Sequence, residues 1–154
     1  MKCLSFNCRG LASTSKKLAL NRLFGSSPVD IILLQETLGP ADSISASLSS
    51  ITPGWQYSAM DSTGHSGGLA IGFNPATIRA HGTWGGPGFM GLDLFSADLG
   101  INLRVINIYG PCHQRESFWN HLLSLSILTA ENIIMGGDLN FSLGYSESWG
   151  LWHR

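Results

Sequence analysis

The sequence places a carboxylate and a carboxamide directly after a short apolar run near residue 135. Asp138 and Asn140 follow residues 133–135, which are typical of a strand, and the pair Gly136-Gly137. Side chains two positions apart point to the same face of a strand. If the extended geometry continues past the glycines, Asp138 and Asn140 point together at one ligand. This motif predicts a polar site at the end of a strand.

Three further polar residues stand at the downstream ends of predicted strands, namely Asn7, Glu36 and Tyr109. Ligands of open sheets bind at strand ends, so we expect these side chains to converge with Asp138. A glutamate and an aspartate with neutral amides form a hard, oxygen-rich site. Such a site suits Mg²⁺ rather than zinc, because Mg²⁺ binds through one or two carboxylates and substrate phosphate. The chemistry implied is cleavage of a phosphoester.

The elements that must position these residues follow from apolar periodicity. Helices are predicted over residues 14–24, 41–48 and 118–128, with Ser13 or Thr14 capping the first and Ser117 the last. The run 31–34 is typical of a strand buried on both faces. Alternation and turn residues predict further strands over 3–7, 55–60, 68–73, 78–84, 92–98, 101–109 and 132–135. We interpret the segment 55–109 as an antiparallel meander and the whole as α/β with a mixed sheet.

Composition limits the classes of protein that this chain can represent. Its 154 residues fit one domain, and a hydrophobic content of 44% excludes a disordered chain. Charged residues make up 12%, which is low for a soluble domain and suggests either that much of the chain is interior or that a covering part is absent. The net charge of −1 provides no bulk basic field, which counts mildly against a nucleic-acid partner.

Cysteine usage and hydropathy bear on the compartment. Three cysteines, at positions 3, 8 and 112, form no paired motif, so we expect reduced thiols rather than disulfides or zinc ligands. There is neither a secretory signal nor an apolar run of membrane-spanning length. We therefore predict a nuclear or cytoplasmic protein with no membrane partner, and we infer no obligate oligomer.

One competing interpretation is a serine hydrolase. Residues 64–68 have the spacing of a nucleophile elbow around Ser66, with Asp138 and His153 in the chain order of a triad. An elbow needs a strand before the serine and a helix after it, whereas residues 69–73 are typical of a strand. We therefore predict that Ser66 precedes a strand and has no histidine partner. Trp149 and Trp152 either stack on bases or contact a missing part of the protein.

Five short motifs occur in order along the chain. They are Asn7-Cys-Arg-Gly, Gln35-Glu36-Thr37, Ser66-Gly67-Gly68-Leu-Ala, Asn107-Ile-Tyr109-Gly-Pro111 and Gly136-Gly-Asp138-Leu-Asn140. Taken in order, they resemble the motifs of the endonuclease/exonuclease/phosphatase family, and within it the endonuclease domain of plant LINE-type retrotransposons. The resemblance covers essentially the whole chain. It implies a four-layered α/β sandwich with mixed sheets, like that of DNase I, with its second lobe incomplete.

The resemblance also implies roles. Glu36, helped by Asn7, would bind Mg²⁺, with Mn²⁺ as an alternative, and Asp138 would orient or deprotonate the attacking water. Asn140, Tyr109 and Asn107 would form the phosphate-binding set, in which Asn107 supports Tyr109. The substrate would be DNA, nicked to leave a 3′ hydroxyl primer for a reverse transcriptase domain expected downstream.

The sequence departs from the family pattern at its end. The family's terminal Asp-His pair has no counterpart, because His153 follows Trp152 rather than an aspartate. We therefore expect residues 1–154 to be a single partial domain that lacks its C-terminal part and has little or no activity. The alternatives are a catalytically inactive relic and a relative that hydrolyses another phosphoester, such as a nucleotide or a phospholipid head group.

Overall fold

Short apolar runs of this chain become the strands of two four-stranded sheets. The computed structural model describes residues 1–26, 28–63 and 66–141. Its strands, in chain order, are β1 (Cys3–Asn7), β2 (Ile31–Gln35), β3 (Gln56–Thr63), β4 (Ser66–Phe73), β5 (Ile78–Gly86), β6 (Phe89–Ser96), β7 (Ile101–Tyr109) and β8 (Ile133–Asp138). The helices are α1 (Thr14–Ser26), α2 (Ala41–Ile51) and α3 (Arg115–Ser124), and a 3₁₀ turn covers Ser126–Thr129.

The two sheets have related topologies. The first has the strand order β1-β2-β4-β3, and the second has the order β5-β6-β7-β8. In each sheet one pair of strands is parallel, β1 with β2 and β7 with β8, and the other pairs are antiparallel. Parallel neighbours require a long crossover, which α1 and α3 supply. The C-terminal ends of β1 and β2 therefore lie side by side at one end of the first sheet. Those of β7 and β8 lie side by side at one end of the second.

Three apolar clusters hold the layers together. Between the sheets, the inward faces of β2, β4, β6 and β7 pack around residues such as Leu33, Ile71 and Leu92. Outside the first sheet, α1 and α2 contribute Leu20 and Leu48. Outside the second, α3 contributes a third cluster. The order helix, sheet, sheet, helix confirms the four-layered α/β sandwich, and every residue of β2 is buried as its apolar run predicts.

The predicted meander is wrong in one respect, because segment 55–109 belongs to both sheets. The chain leaves the first sheet after β4 and enters the second at β5. Asn74 makes this turn, accepting the Ala76 N–H through its side chain at 3.0 Å and the Thr77 N–H through its carbonyl at 3.2 Å. Alternating strands on either side of such a turn have the same sequence signature whether they pair or separate.

Some boundaries also differ from the prediction. The third helix begins at Arg115 after Gln114, which has a left-handed backbone and makes no side-chain cap, so Ser117 is not the cap. It ends at Ser124 because Leu125 is extended, and the 3₁₀ turn follows. β6 begins and ends earlier than expected, and β8 lies at the edge of its sheet among the described residues. None of the helices described is both long and apolar enough to span a membrane.

Candidate active site

Four strand ends meet at one end of the sandwich. Asn7 is the last residue of β1, Glu36 follows β2, and Tyr109 and Asp138 are the last residues of β7 and β8. Asn7 and Asp138 are 131 positions apart in the sequence, yet their side chains are hydrogen-bonded. The expected convergence of the two carboxylates with Asn7 is therefore confirmed, and the parallel pairs of the two sheets produce it.

The Asn7 amide lies between the two carboxylates. Its Nδ2 donates to Glu36 Oε1 at 2.8 Å and to Asp138 Oδ2 at 2.7 Å, so these oxygens are at most about 5.5 Å apart. Its Oδ1 accepts the backbone N–H of Arg9 at 3.0 Å, which fixes the amide in this orientation. Two negative charges therefore converge on a single small volume, where only a donor or a cation can offset their repulsion.

Tyr109 completes the group on the side of the second sheet. Its hydroxyl donates to Glu36 Oε1 at 3.0 Å, so this one oxygen accepts two hydrogen bonds. Burial raises the pKa of Tyr109 to about 12, and the hydrogen bond to Glu36 and the negative charges nearby act in the same direction. The phenol thus keeps its proton near neutral pH and is a hydrogen-bond donor.

Asn140 reaches the site by a route that differs from the prediction. β8 ends at Asp138, and Asn140 has a left-handed backbone with φ of 52°, so the extended geometry does not continue. Instead the Asn140 N–H donates to Asp138 Oδ1 at 3.1 Å, and its side-chain Nδ2 donates to the carbonyl of Gly110 at 2.6 Å. The segment therefore folds back over the end of β7, and one of the two amide hydrogens of Asn140 is already used.

Asn107 does not bind phosphate, which corrects its placement in the phosphate-binding set. Its side chain is fully buried between the sheets. Nδ2 donates to the carbonyls of Leu34 and Ala70 at 2.9 and 3.0 Å, and Oδ1 accepts from Gln35 Nε2 at 2.6 Å. All its polar groups are therefore used, and no surface remains for a substrate. Asn107 joins the second sheet to the first, beneath Tyr109 and beside the strand that carries Glu36.

Sequence reasoning missed the role of Gln35. Its side chain is 1% exposed and reaches Asn107, Ser5 Oγ at 3.2 Å and the Leu33 carbonyl at 3.2 Å. A polar residue that ends an otherwise apolar, fully buried strand was the available signal. On the other side of Glu36, Thr37 is also buried, and its hydroxyl has no hydrogen-bond partner among the residues described. Glu36 itself has a left-handed backbone, with φ of 51°.

The donor set fits a hard divalent cation in part. Glu36 and Asp138 supply oxygen ligands that face one another, as Mg²⁺ requires. Asn7 presents Nδ2 to them, so it would bind a cation only after its amide turned over to present Oδ1. Within the described parts of the chain, no group of three or more histidine, cysteine, aspartate or glutamate side chains lies together. A cation here would therefore depend on carboxylate oxygens together with water and substrate oxygens.

A groove of about 390 Å³ opens beside the carboxylates. It is bordered by the ends of β1 and β8 and by the segment that follows β8, with Phe6 and Phe141 at its rim. The competing serine site does not have the required context, because Ser66 begins β4 and no helix follows it. His153, Trp149 and Trp152 lie outside the described residues.

Comparisons with known proteins agree with this architecture. A sequence profile described as "Endonuclease/Exonuclease/phosphatase family" matches residues 4–154. Among curated proteins, none matches this sequence.

Solved structures share the fold at low identity. A humanized D. rerio TDP2 is 13% identical with a TM-score of 0.72, covering 91% of this chain and 66% of its own. The 3′ phosphatase NExo from Neisseria, bound to product DNA hairpin, is 17% identical with a TM-score of 0.71, and the coverages are 93% and 59%. A mannosyl-6-phosphatase from Bacteroides thetaiotaomicron is 13% identical with a TM-score of 0.68, with coverages of 90% and 64%. This chain thus spans less than two thirds of each of these structures.

Proposed function

We propose that this chain, which belongs to the endonuclease/exonuclease/phosphatase family, carries the central catalytic groups of a Mg²⁺-dependent phosphodiester hydrolase that nicks DNA. The observation that carries the proposal is the convergence of Glu36 and Asp138 on the Asn7 amide, with the Tyr109 hydroxyl donating to Glu36. One carboxylate can bind a cation and the other can accept a proton from an attacking water. A protonated phenol can donate a hydrogen bond to the phosphodiester.

Each side chain has a role that its position supports. Glu36 and, after rotation of its amide, Asn7 would hold Mg²⁺, which supplies charge neutralisation at the phosphate when it is bound. Tyr109 would turn its single hydroxyl hydrogen from Glu36 to a phosphate oxygen, and its pKa of about 12 keeps that hydrogen in place. The hydrogen of the Asn140 amide that Gly110 does not use would donate to a second phosphate oxygen.

Asp138 would act as the base. It would take a proton from water while the water oxygen bonds to phosphorus and the bond between phosphorus and the 3′ oxygen breaks. The 3′ oxygen leaves with the electron pair of the broken bond and takes a proton from solvent water. The products are then a 5′ phosphate and a 3′ hydroxyl. Asn140 supports this role, because its backbone N–H fixes the Asp138 carboxylate through Oδ1 at 3.1 Å and leaves Oδ2 directed at the site.

DNA is the substrate that the motifs favour, because the ordered set resembles retrotransposon endonucleases of the LINE type. In such a parent protein the 3′ hydroxyl would prime a reverse transcriptase domain. The motif pattern of the family also includes an Asp-His pair, and this sequence contains no Asp-His dipeptide. Since the loss of one preorganised donor costs about 10²–10³ in rate, we expect residues 1–154 to nick DNA slowly.

The proposal is tested by single-turnover nicking of supercoiled plasmid at high protein concentration, with and without Mg²⁺. Glu36→Gln and Asp138→Asn should each abolish nicking, whereas Glu116→Gln and Asp42→Asn, at exposed helical positions, should not. The nicked product should be extended directly by a DNA polymerase, which requires a 3′ hydroxyl. Nicking that persists in EDTA, or that survives Glu36→Gln, would show that the assignment is wrong.

A parallel arm distinguishes the alternatives. Release of inorganic phosphate from sugar phosphates or nucleoside monophosphates, without plasmid nicking, would identify a relative that acts on small phosphoesters. The absence of any Mg²⁺-dependent hydrolysis, together with Tb³⁺ luminescence that Glu36→Gln does not reduce, would identify an inactive relic.

A further inference from the structure

A second cleft, of about 740 Å³, opens beside Tyr109. It is bordered by β3 and the start of β4, by the turn between β5 and β6, by the segment that follows β7, and by Phe118 of α3. Its volume lies within the range of about 300–1,000 Å³ that is usual for small-molecule sites. The phosphate-binding role proposed for Tyr109 does not account for this space.

Two walls of the cleft are bare backbone. A methyl group at Gly68 would lie 2.5 Å from Thr37 Oγ1, so no side chain fits there. A methyl group at Gly88 would lie 2.9 Å from both the Phe118 ring and the Tyr109 carbonyl. Both glycines therefore lie in tightly packed parts of the lining, and neither adds a side chain to the cleft.

The remaining lining suits an aromatic ligand with a polar edge. Phe118 and Met60 provide apolar contact, and Pro87 and Pro111 add apolar lining. Phe118 is held by an edge-to-face contact with Trp119, with ring centroids 5.2 Å apart. Polar groups are few and lie at exposed positions, where Asp61 and His113 can meet hydrogen-bonding atoms of a ligand.

Tyr109 belongs to both the cleft and the carboxylate site. Its hydroxyl contacts Glu36, and the residue also lines the cleft. The backbone fixes it there, because the Tyr109 N–H donates to the Gly88 carbonyl at 2.8 Å. A phosphate held at the Tyr109 hydroxyl would therefore be bound by a residue that also borders the cleft.

We propose that this cleft binds the nucleobase of the nucleotide next to the cleaved phosphodiester, so that the substrate is recognised as a base-bearing strand. The inference rests on the proposed function. Stacking on aromatic side chains accepts every base, since each has a π face. A sugar phosphate without a base would leave the cleft unused.

Cys112 gives a test that does not depend on catalysis, because it lines the cleft and is exposed. In a Cys3→Ser background and in EDTA, alkylation of Cys112 by N-ethylmaleimide would be timed by mass spectrometry. A saturating thymidine dinucleotide should slow the reaction at least about fivefold. An abasic dinucleotide of the same charge should change the rate less than twofold. Equal protection by both ligands, or protection by neither, would overturn the proposal.

A variant tests the same point through turnover. Cys112→Trp should fill the cleft, with Cys112→Ala as its matched control. For the p-nitrophenyl ester of thymidine 5′-phosphate, the tryptophan variant should raise KM roughly 5- to 150-fold, the range that loss of base stacking produces. For methyl p-nitrophenyl phosphate, which has no base, KM should not change.

The two experiments separate the failure of this inference from failure of the proposed function. If neither ester is hydrolysed by the wild type, the proposed function fails, and the alkylation result alone decides whether the cleft binds a base. If both esters are hydrolysed and Cys112→Trp leaves both KM values unchanged, the proposed function stands and the nucleobase site is wrong.

Discussion

Replacing Asn107 by leucine tests whether the buried amide holds the two sheets together beneath the site. Asn107→Leu keeps a side chain of similar size on β7 but removes two donors and one acceptor. The three hydrogen bonds lost measure 2.6, 2.9 and 3.0 Å, and all are buried. Each contributes a net 0.5–1.5 kcal/mol in a typical case, so the free energy of unfolding should fall by about 1.5–4.5 kcal/mol.

The structure places this loss toward the upper part of that range. The carbonyls of Leu34 and Ala70 would face an apolar side chain in a region closed to water, and unsatisfied buried groups cost more than the bond itself. The loss at Gln35 is smaller, because its Nε2 still donates to Ser5 Oγ and to the Leu33 carbonyl. In the double variant with Gln35→Leu, the loss should therefore be smaller than the sum of the single losses, by about 0.5–3 kcal/mol.

The measurement is equilibrium unfolding in urea, followed by tryptophan fluorescence and circular dichroism. With a slope of about 2 kcal/mol per molar urea, a loss of about 3–4.5 kcal/mol should lower the midpoint of Asn107→Leu by roughly 1.5–2.3 M. Asn102→Leu, on the same strand but exposed, is the matched control and should change stability by less than about 0.5 kcal/mol. Equal stability of the two variants would refute the interpretation of Asn107 as the link between the sheets.

Three further predictions follow from particular residues. Gly137 has φ of 147°, and a methyl group there would meet the Ile108 carbonyl oxygen at 1.9 Å, so Gly137→Ala should lower the thermal midpoint sharply, whereas Gly82→Ala, in open space, should not. Burial raises the pKa of the Cys8 thiol to about 12, so its alkylation at pH 8 should be slow and should track global unfolding. The hydrogen bond from Arg104 lowers the pKa of Asp93 below 3.8. The difference in stability between wild type and Asp93→Asn should therefore be fully present above pH 3.8 and should disappear as the pH falls through the lowered pKa.

The sequence by itself determined the class of the fold and the positions of the polar groups. The apolar run 31–34 predicted a strand buried on both faces, and β2 is one. The polar residues Asn7, Glu36, Tyr109 and Asp138 were assigned to strand ends, where the structure has them. These predictions succeed because periodicity and turn residues act locally, and the residues that define them are neighbours in the chain.

The tertiary structure alone decided which groups meet and which face each one uses. A period of two shows that Asn107 and Tyr109 share a face, but it does not show what covers that face. Tyr109 lies at the strand end and reaches Glu36, whereas Asn107, two residues earlier, is buried between the sheets.

The same reason explains the other differences. Asn140 leaves the extended conformation because its side chain donates to the carbonyl of Gly110, which directly follows β7 and lies 30 residues away. The meander divides at Asn74 because the apolar faces on either side of that turn cover one another across the core. Pairing and burial between distant segments depend on contacts that no local pattern contains, so the assembled site becomes visible only in the folded chain.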